Sequence, residues 1–286
     1  MGNLMKFKLR MPSFMKKAIY SMTQKTVSDI FNKNDFSYLT SIGNFGEGPE
    51  EITVMGCLAI DEAHHQLYVS DHAKQKIFSY DMDSVMVDSL YKPQVKTAMN
   101  ETLFPSEYQY INDTLSIAVL IKPTSTSTFN QFLGRWNMNT GEMIPMKYTH
   151  PDIQKKRITF AASEKAGIYV ECYTRHDLMT ICSLDGELLY NIYGPDWDGG
   201  NGNKLQSFGT VMIGNDKIFV SYCGEDYARD SFPTKILVFD LEGNYLKTLE
   251  TGYKISDCCY DSFNNRIILS LNDVVQFAYL DIDGII

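Results

Sequence analysis

Several residues of this chain have side chains that could clamp a ligand. Arg175 and His176 are adjacent, and Glu225, Asp226 and Arg229 occur together in a second polar segment. Guanidinium groups beside carboxylates can hold an anionic or sugar ligand through paired hydrogen bonds. A solvated loop with local ion pairs explains the same residues more simply. We therefore treat these five residues as candidates for ligand binding and not for catalysis.

A second pair of candidates, Asp71 and His72, follows an apolar run elsewhere in the chain. His72 and His176 could converge as general bases or as metal ligands. A pair of surface histidines is the commoner situation. The sequence contains no G-x-S-x-G nucleophile motif and no CxxC zinc-binding pair. The sequence therefore predicts no catalytic residue and no metal-binding residue.

Two further carboxylates, Glu50 and Glu51, end the segment GEGPEE. Gly46 and Gly48 permit backbone conformations that other residues avoid, and Pro49 fixes its own φ angle. This composition predicts a rigid crossing between two structural units. The two carboxylates could accept hydrogen bonds from loop amides, or they could bind a ligand or a cation.

One segment has oxygen-bearing side chains at nearly the spacing of a calcium loop. Asp196, Asp198, Asn201 and Asn203 alternate along it, but a glycine should hold the sixth position and Asn201 stands there. The pattern therefore predicts no cofactor, and calcium is the less favoured alternative.

The elements that must position these residues are clearest in residues 66–91. Three apolar or aromatic runs occur there, LYVS, KIFSYDM and VMVDSLY, separated by short polar turns. Alternation with a period of two, bounded by turn residues, is typical of hairpins. We expect strands two, three and four of one antiparallel sheet, with a strand at 85–91.

The same pattern recurs along the whole chain about every 50 residues, which is typical of propeller blades. The sequence predicts an all-β fold, a six-bladed β-propeller of four-stranded antiparallel blades, as a single domain over residues 1–286. The third strand of each blade and its turn mark the six copies: 26–35, 76–84, 132–141, 178–186, 236–243 and 274–284.

The two ends of the chain predict how the ring is closed. The last copy stops after Asp283 and Gly284, where a fourth strand should begin, while residues 5–11 form an alternating run before the first copy. Pairing of the N- and C-terminal strands would complete the last blade and leave no long sheet edge open. The alternative is that residues 1–14 form a frayed or cleaved tail.

Two segments resemble known propeller families. LYVSDHAKQKIFSYDMDS resembles the NHL-type repeat, and FSYLTSIGNFGEGPEEI is similar to the fourth-strand exit of bacterial TolB-like six-bladed propellers. Members of that group mostly have no assigned activity, so the resemblance implies the architecture more than a function. It also implies export to the cell envelope, although the chain has neither a signal segment nor a lipobox cysteine near its start. The compartment is therefore open between the cytoplasm and the envelope after removal of a signal.

Composition excludes some classes of partner. A net charge of -9 argues against binding to nucleic acid, whose phosphates require concentrated lysine and arginine, and an acidic surface favours solubility. No apolar run is long enough to span a membrane. The six cysteines mostly lie in apolar runs and are expected to be free thiols. A bridge between Cys172 and Cys182, which flank one predicted hairpin, is the exception to consider.

The predicted propeller places most of the candidate residues on one face. Loops between strands two and three lie at the same end of a blade as the crossings to the next blade. We therefore expect a non-catalytic module that binds a peptide, glycan or protein partner around the central channel. The alternative is a metal-dependent, lactonase-like hydrolase or lyase with its site at the channel mouth.

Overall fold

The computed structural model of the chain describes residues 15–17, 26–88, 90–125, 128–153, 156–202, 205–226 and 231–285. These residues form two compact units that meet in sequence between Met146 and Lys147. We call them the N-terminal unit and the C-terminal unit. Both consist almost entirely of antiparallel strands, as the alternating apolar runs predict. In the described residues no helix is long and apolar enough to cross a membrane.

The N-terminal unit contains three sheets in which strands adjacent in sequence pair with each other. The first sheet has three strands, β1 (Met15–Lys17), β2 (Thr26–Phe31) and β3 (Tyr38–Asn44). The second is formed by β4 (Met55–Asp61), β5 (Gln66–Asp71), β6 (Lys76–Asp81) and β7 (Gln94–Ala98). The third is formed by β8 (Phe104–Asn112), β9 (Leu115–Pro123), β10 (Phe129–Trp136) and β11 (Met143–Pro145).

The C-terminal unit repeats this arrangement. Its first sheet is formed by β12 (Ile158–Ser163), β13 (Ile168–Tyr173), β14 (Leu178–Ser183) and β15 (Leu188–Tyr193). The second is formed by β16 (Leu205–Gly214), β17 (Lys217–Asp226), β18 (Lys235–Asp240) and β19 (Tyr245–Glu250). The third has three strands, β20 (Ile255–Asp261), β21 (Arg266–Leu271) and β22 (Phe277–Asp281).

The sheets are held together because their middle strands are apolar on both faces. In the N-terminal unit, Leu67 and Phe78 of the second sheet pack against Ile30 of the first. On the opposite face, Tyr68 of the second sheet packs with Trp136 of the third. Each such side chain contributes about 2–3 kcal/mol when fully removed from water. A single sheet could not bury both faces, so the repeat stabilises itself only through its neighbours.

The C-terminal unit has the same kind of core between sheets. Val170 and Ile181 of its first sheet pack with Ile218 and Val220 of the second. The other face of the second sheet carries Phe219, which packs in a cluster with Ile267 of the third. Consecutive residues of β17 therefore face different neighbouring sheets, as the period of two requires.

The strand expected at 85–91 is a wrong prediction. Residues Met82–Val87 form a short helix, α1, and the outer strand of this sheet is β7, further along the chain. The Asp81 side chain caps the helix by accepting a hydrogen bond from the Ser84 N–H at 2.7 Å. Met82 and Val85, three residues apart, are buried on one side of the turn. Capping and this spacing override the strand propensity of the two valines.

The structure supports an all-β propeller built from antiparallel four-stranded sheets. The predicted six blades of four strands and the closure of the ring are not confirmed, because the first and last sheets have only three strands in the described residues. The predicted closing strand at 5–11 lies outside the residues that the structure describes. The single domain over residues 1–286 stays a prediction.

The six cysteines are free thiols. Cys172 lies opposite Met179 and Cys182 lies opposite Tyr169 in the β13–β14 hairpin. The two thiols therefore occupy different positions of the ladder and form no bridge. Burial raises the pKa of Cys182 to about 11, so this cysteine serves as an apolar core residue.

Candidate functional site

Asp71, at the end of β5, organises the segment 46–54 that joins the first sheet to the second; we call this segment the Gly46 crossing. The buried Asp71 carboxylate accepts N–H groups of Thr53 at 2.7 Å and Val54 at 3.1 Å in the crossing. It also accepts those of Ala73 at 3.0 Å and Lys74 at 3.1 Å in its own turn. Four backbone donors thus compensate the burial of one charge.

Lys74 and Glu51 complete this arrangement, which we call the Asp71 clasp. The Lys74 ammonium lies 3.9 Å from Asp71 and donates to the carbonyl oxygens of Gly48 and Glu51. The Glu51 carboxylate accepts the Gly48 N–H at 2.8 Å. A Cβ atom on Gly46 would lie 2.0 Å from the same carboxylate, so a larger residue there would displace the Glu51 side chain from its present position. The expected rigid crossing is therefore present, and Asp71 and Glu51 stay predictions as ligand-binding residues.

A cleft of about 640 Å³ lies beside this crossing, between β3 and the segment that follows β6. We call it the Tyr80 cleft. Volumes of this size accommodate small organic ligands. Its apolar side is formed by Ile42, Val85, Leu90 and Pro93. Its polar and aromatic side chains are those of Thr26, Tyr38, Thr40, Ser41, Asn44, Glu50, Glu51, Tyr80, Asp88, Tyr91 and Lys92.

Charged groups line the Tyr80 cleft unevenly. Three carboxylates, those of Glu50, Glu51 and Asp88, accompany one ammonium, that of Lys92. Lys92 forms an ion pair with Glu50 at 2.7 Å. Asp88 accepts the N–H of Leu90 at 2.8 Å, which fixes the turn after α1. The lining therefore carries an excess of negative charge.

Tyr80 contributes a buried hydroxyl to the cleft. The residue is 1% exposed, and its hydroxyl has no hydrogen-bond partner among the described residues. Burial raises the pKa of Tyr80, so the hydroxyl stays protonated. A Cβ atom on Gly43, which also lines the cleft, would lie 2.6 Å from this hydroxyl. Gly43, with φ at 60°, therefore provides the space that the hydroxyl occupies.

The C-terminal unit contains a cluster of histidine and aromatic rings. His176 is buried, with its ring 6.2 Å from that of Tyr173 and 6.1 Å from that of Trp197. Its Nδ1 atom lies 3.9 Å from the Asp198 carboxylate, which is too long for a hydrogen bond. Burial lowers the pKa of His176, although the Asp198 charge opposes this shift. The imidazole is therefore neutral near pH 7.

His150 belongs to the same cluster and packs 5.4 Å from the Trp197 ring. Its Nδ1 accepts the Asp152 N–H at 3.3 Å, so its proton lies on Nε2, which is 3.1 Å from the Tyr193 hydroxyl. Burial lowers the pKa of His150 as well. The ring is therefore held neutral and serves to pack the cluster.

Asp177 anchors the segment 194–202 between β15 and β16, which we call the Trp197 crossing. Its carboxylate accepts the Asp196 N–H at 3.0 Å, and its carbonyl accepts the Gly194 N–H at 2.8 Å. Burial raises the pKa of Asp177, and the Asp196 charge adds to this effect. The predicted calcium ligands Asp196, Asp198 and Asn201 lie in this crossing, while Asn203 is outside the described residues. In the part of the chain that the structure describes, no three His, Cys, Asp or Glu residues are grouped to hold a metal.

None of the other predicted residues that the structure describes is among those that line the Tyr80 cleft. His72 packs 5.6 Å from the Phe104 ring, and burial lowers its pKa. Arg175 is exposed. Glu225 and Asp226 lie in β17, opposite Gln206 and Leu205, and not in the loop that the sequence predicted. Arg229 lies outside the described residues. As ligand-binding residues, all of these stay predictions.

Sequence reasoning missed Tyr80, Asp88 and Lys92. Tyr80 was read as an ordinary strand residue, and Asp88 was placed in a fourth strand. The useful signal was Asp81, a residue type preferred at a helix N-cap, followed by the acidic Asp83 in the position of a first helical turn. A helix there would have placed residues 88–93 in a loop beside the Gly46 crossing.

Comparison with known proteins supports the fold but indicates no activity. A domain of unknown function, DUF8491, matches residues 1–43, which is too short a part of the chain to assign the whole. No curated protein matches. Among solved structures, a member of the duf4221 family from Bacteroides vulgatus has a TM-score of 0.60 at 11% identity, covering 94% of this chain and 91% of that one.

Two further structures are similar over most of this chain. A protein of unknown function from Bacteroides caccae has a TM-score of 0.51 at 13% identity, covering 92% of this chain and 88% of that one. The extracellular domain of a one-component system from B. thetaiotaomicron has a TM-score of 0.52 at 14% identity, covering 89% of this chain and 31% of that one. At these identities the likeness concerns the fold alone, and it supports a β-propeller. The finer resemblance to TolB-like and NHL-like propellers stays a prediction.

Proposed function

We propose that this chain is a non-catalytic binding domain whose ligand site is the Tyr80 cleft. The observation that carries the proposal is that Tyr80, which lines a cleft of about 640 Å³, has a buried hydroxyl with no hydrogen-bond partner among the described residues. A buried hydroxyl without a partner costs about 1–3 kcal/mol of stability. A ligand that hydrogen-bonds to this group would recover that free energy on binding.

The frame of the cleft favours binding because it is already organised. The Asp71 clasp fixes the Gly46 crossing, which carries Glu50 and Glu51 to the cleft. The Tyr91 hydroxyl accepts the Asp81 N–H at 3.1 Å and holds the opposite wall at the start of α1. Such preorganisation reduces the ordering cost of binding. The ligand classes that the sequence suggests are a peptide, a glycan or part of a protein partner.

The proposal is tested by screening small fragments with ligand-observed NMR. Thr40→Trp would place a large ring in the cleft, and Thr248→Trp on β19 is the matched control on another outer strand. Fragments that bind the wild type and the control, but not Thr40→Trp, would support the proposal. If every bound fragment still bound to a folded Thr40→Trp variant, the Tyr80 cleft would not be the site.

The predicted six-bladed, TolB-like ring is a separate proposal. We infer from the alternating run at 5–11 that it adds the outer strand to the sheet of β20, β21 and β22. Deletion of residues 1–14 should then lower the midpoint of thermal unfolding. An unchanged midpoint would instead favour a dispensable tail. The metal-dependent hydrolase alternative predicts bound metal, which elemental analysis of the purified protein would detect.

A further inference from the structure

We infer that the Tyr80 cleft takes an organic cation: a small molecule with a protonated amine on an apolar or aromatic body. This inference rests on the proposed function and adds the class of ligand. The first observation is the charge of the lining. Glu50, Glu51 and Asp88 provide three negative charges, and Lys92 provides one positive charge. An anionic ligand would meet a net repulsion there.

The arrangement of these charges leaves two carboxylates, those of Glu51 and Asp88, without a cationic partner among the residues that line the cleft, and of these two only Asp88 is exposed. Lys92 is paired with Glu50, and Glu51 is held by the Gly48 N–H within the Asp71 clasp. Asp88 is exposed and is contacted by the Leu90 N–H. Of the charged groups, Asp88 is therefore the best placed to attract an ammonium.

The Tyr80 hydroxyl is a second and independent observation. Tyr80 lines the cleft and is 1% exposed, and its buried hydroxyl has no hydrogen-bond partner in the part of the chain that the structure describes. Its oxygen can accept a hydrogen bond from an ammonium N–H. An ammonium has several donors, so it can contact this oxygen and a carboxylate at the same time.

Aromatic and apolar side chains suit the rest of such a ligand. Tyr38 is 57% exposed, and the rings of Tyr38 and Tyr91 both line the cleft. Tyrosine ring faces attract cations within about 6 Å. Ile42 and Val85 offer apolar contact for the uncharged part. The volume of the cleft and this mixed lining fit an organic cation better than a bare metal ion, which requires several converging oxygen ligands.

The test compares three probes of one shape: benzylamine, benzyl alcohol and benzoate. Binding is measured by ligand-observed NMR titration at low salt. We expect benzylamine to bind about tenfold more tightly than benzyl alcohol and benzoate to bind most weakly. The affinity for benzylamine should fall as NaCl is added, because exposed charges are screened.

Variants that remove a charge test which carboxylates cause the preference for benzylamine. The double variant Glu50→Gln and Asp88→Asn should lose most of the preference for benzylamine, since it removes two negative charges and releases Lys92. Asp83→Asn on α1 is the matched control, because this exposed carboxylate does not line the cleft, and it should keep the preference. Tyr80→Phe should lower the affinity for benzylamine by a factor of about three to ten, because it removes one hydrogen-bond acceptor.

The outcomes separate the inference from the proposed function. If benzylamine and benzyl alcohol bound equally well, and neither bound to Thr40→Trp, the preference for an organic cation would be refuted. The cleft would still be the ligand site. Tighter binding of benzoate would refute the preference in the same way. Absence of binding by all three probes would also overturn the inference, and the fragment screen would then decide the proposed function separately.

Discussion

Asp71 in the N-terminal unit and Asp177 in the C-terminal unit occupy comparable places. Asp71 is the last residue of the second strand of its sheet, Asp177 directly precedes the third strand of its sheet, and both are buried. Each carboxylate accepts backbone N–H groups from a crossing that joins two sheets. The repeat thus uses one device twice, an acidic side chain that fixes an irregular segment to a regular sheet.

The two aspartates differ in how their charge is compensated. Asp71 receives N–H groups from Thr53, Val54, Ala73 and Lys74, and the Lys74 ammonium lies 3.9 Å away. Asp177 receives the Asp196 N–H, but burial and the Asp196 charge raise its pKa. The comparison teaches that several donors surround the buried Asp71 carboxylate, whereas burial raises the pKa of Asp177, so that ionisation of this group opposes folding.

The largest effect should follow from Asp71→Ala. Four backbone N–H groups would lose their acceptor and the Lys74 ammonium would lose a nearby carboxylate, so we expect a loss of about 3 kcal/mol in the free energy of unfolding. Chemical denaturation at pH 7 measures this. Asp83→Ala, an exposed carboxylate, should change the stability by less than about 0.5 kcal/mol. Equal effects of the two substitutions would refute the clasp.

Lys74→Met should have the next largest effect. It keeps the apolar stem but removes the hydrogen bonds to the carbonyl oxygens of Gly48 and Glu51. We expect a loss of about 1–2 kcal/mol, measured by denaturation. The matched control is Lys165→Met, whose ammonium forms only an exposed pair with Asp216 at 3.3 Å and should contribute little. Lys74→Met should also weaken ligand binding at the Tyr80 cleft if the crossing must be rigid.

Acidification should affect the two units unequally. Burial lowers the pKa of His176 and His150 in the C-terminal unit and of His72 in the N-terminal unit. The unfolded chain then binds protons first, so stability is lost as the pH falls from about 6.5 towards the lowered values. Between pH 7.5 and 5, the midpoint of thermal unfolding should depend less on pH in the double variant His150→Gln and His176→Gln than in the single variant His72→Gln. The same dependence of the midpoint on pH in both variants would contradict the expected difference between the two units.

The smallest effect should follow from Asp177→Asn. Because the pKa of Asp177 is raised on folding, its contribution is favourable at low pH and is lost as the pH rises through the folded value. At pH 7 the amide can still accept the Asp196 N–H, so we expect a change within about 0.5 kcal/mol and towards higher stability. Asp71→Asn under the same conditions should be destabilising. Denaturation of both variants at pH 4 and pH 7 compares the two aspartates directly.

The predicted residues show where sequence reasoning succeeded. GEGPEE was expected to make a rigid crossing, and its glycines and carboxylates do so in the Asp71 clasp. Glu225 and Asp226 were expected in a loop, but they extend β17, because a polar segment can continue a ladder when a neighbouring strand is long enough to pair with it. Tyr80 was missed because a tyrosine at a buried strand position gives no sign that its hydroxyl lacks a partner.

By itself the sequence determined most of the strands and the recurrence of antiparallel sheets, since alternation and turn chemistry act between residues close together in the chain. Only the tertiary structure decided that the Tyr80 hydroxyl lies beside Gly43 and that Lys74 reaches the Gly46 crossing. It also decided that His150 and Trp197 pack together across about 50 positions of sequence. Such contacts depend on how the sheets and the segments between them pack, and no local pattern encodes the distance between side chains that are far apart in the chain.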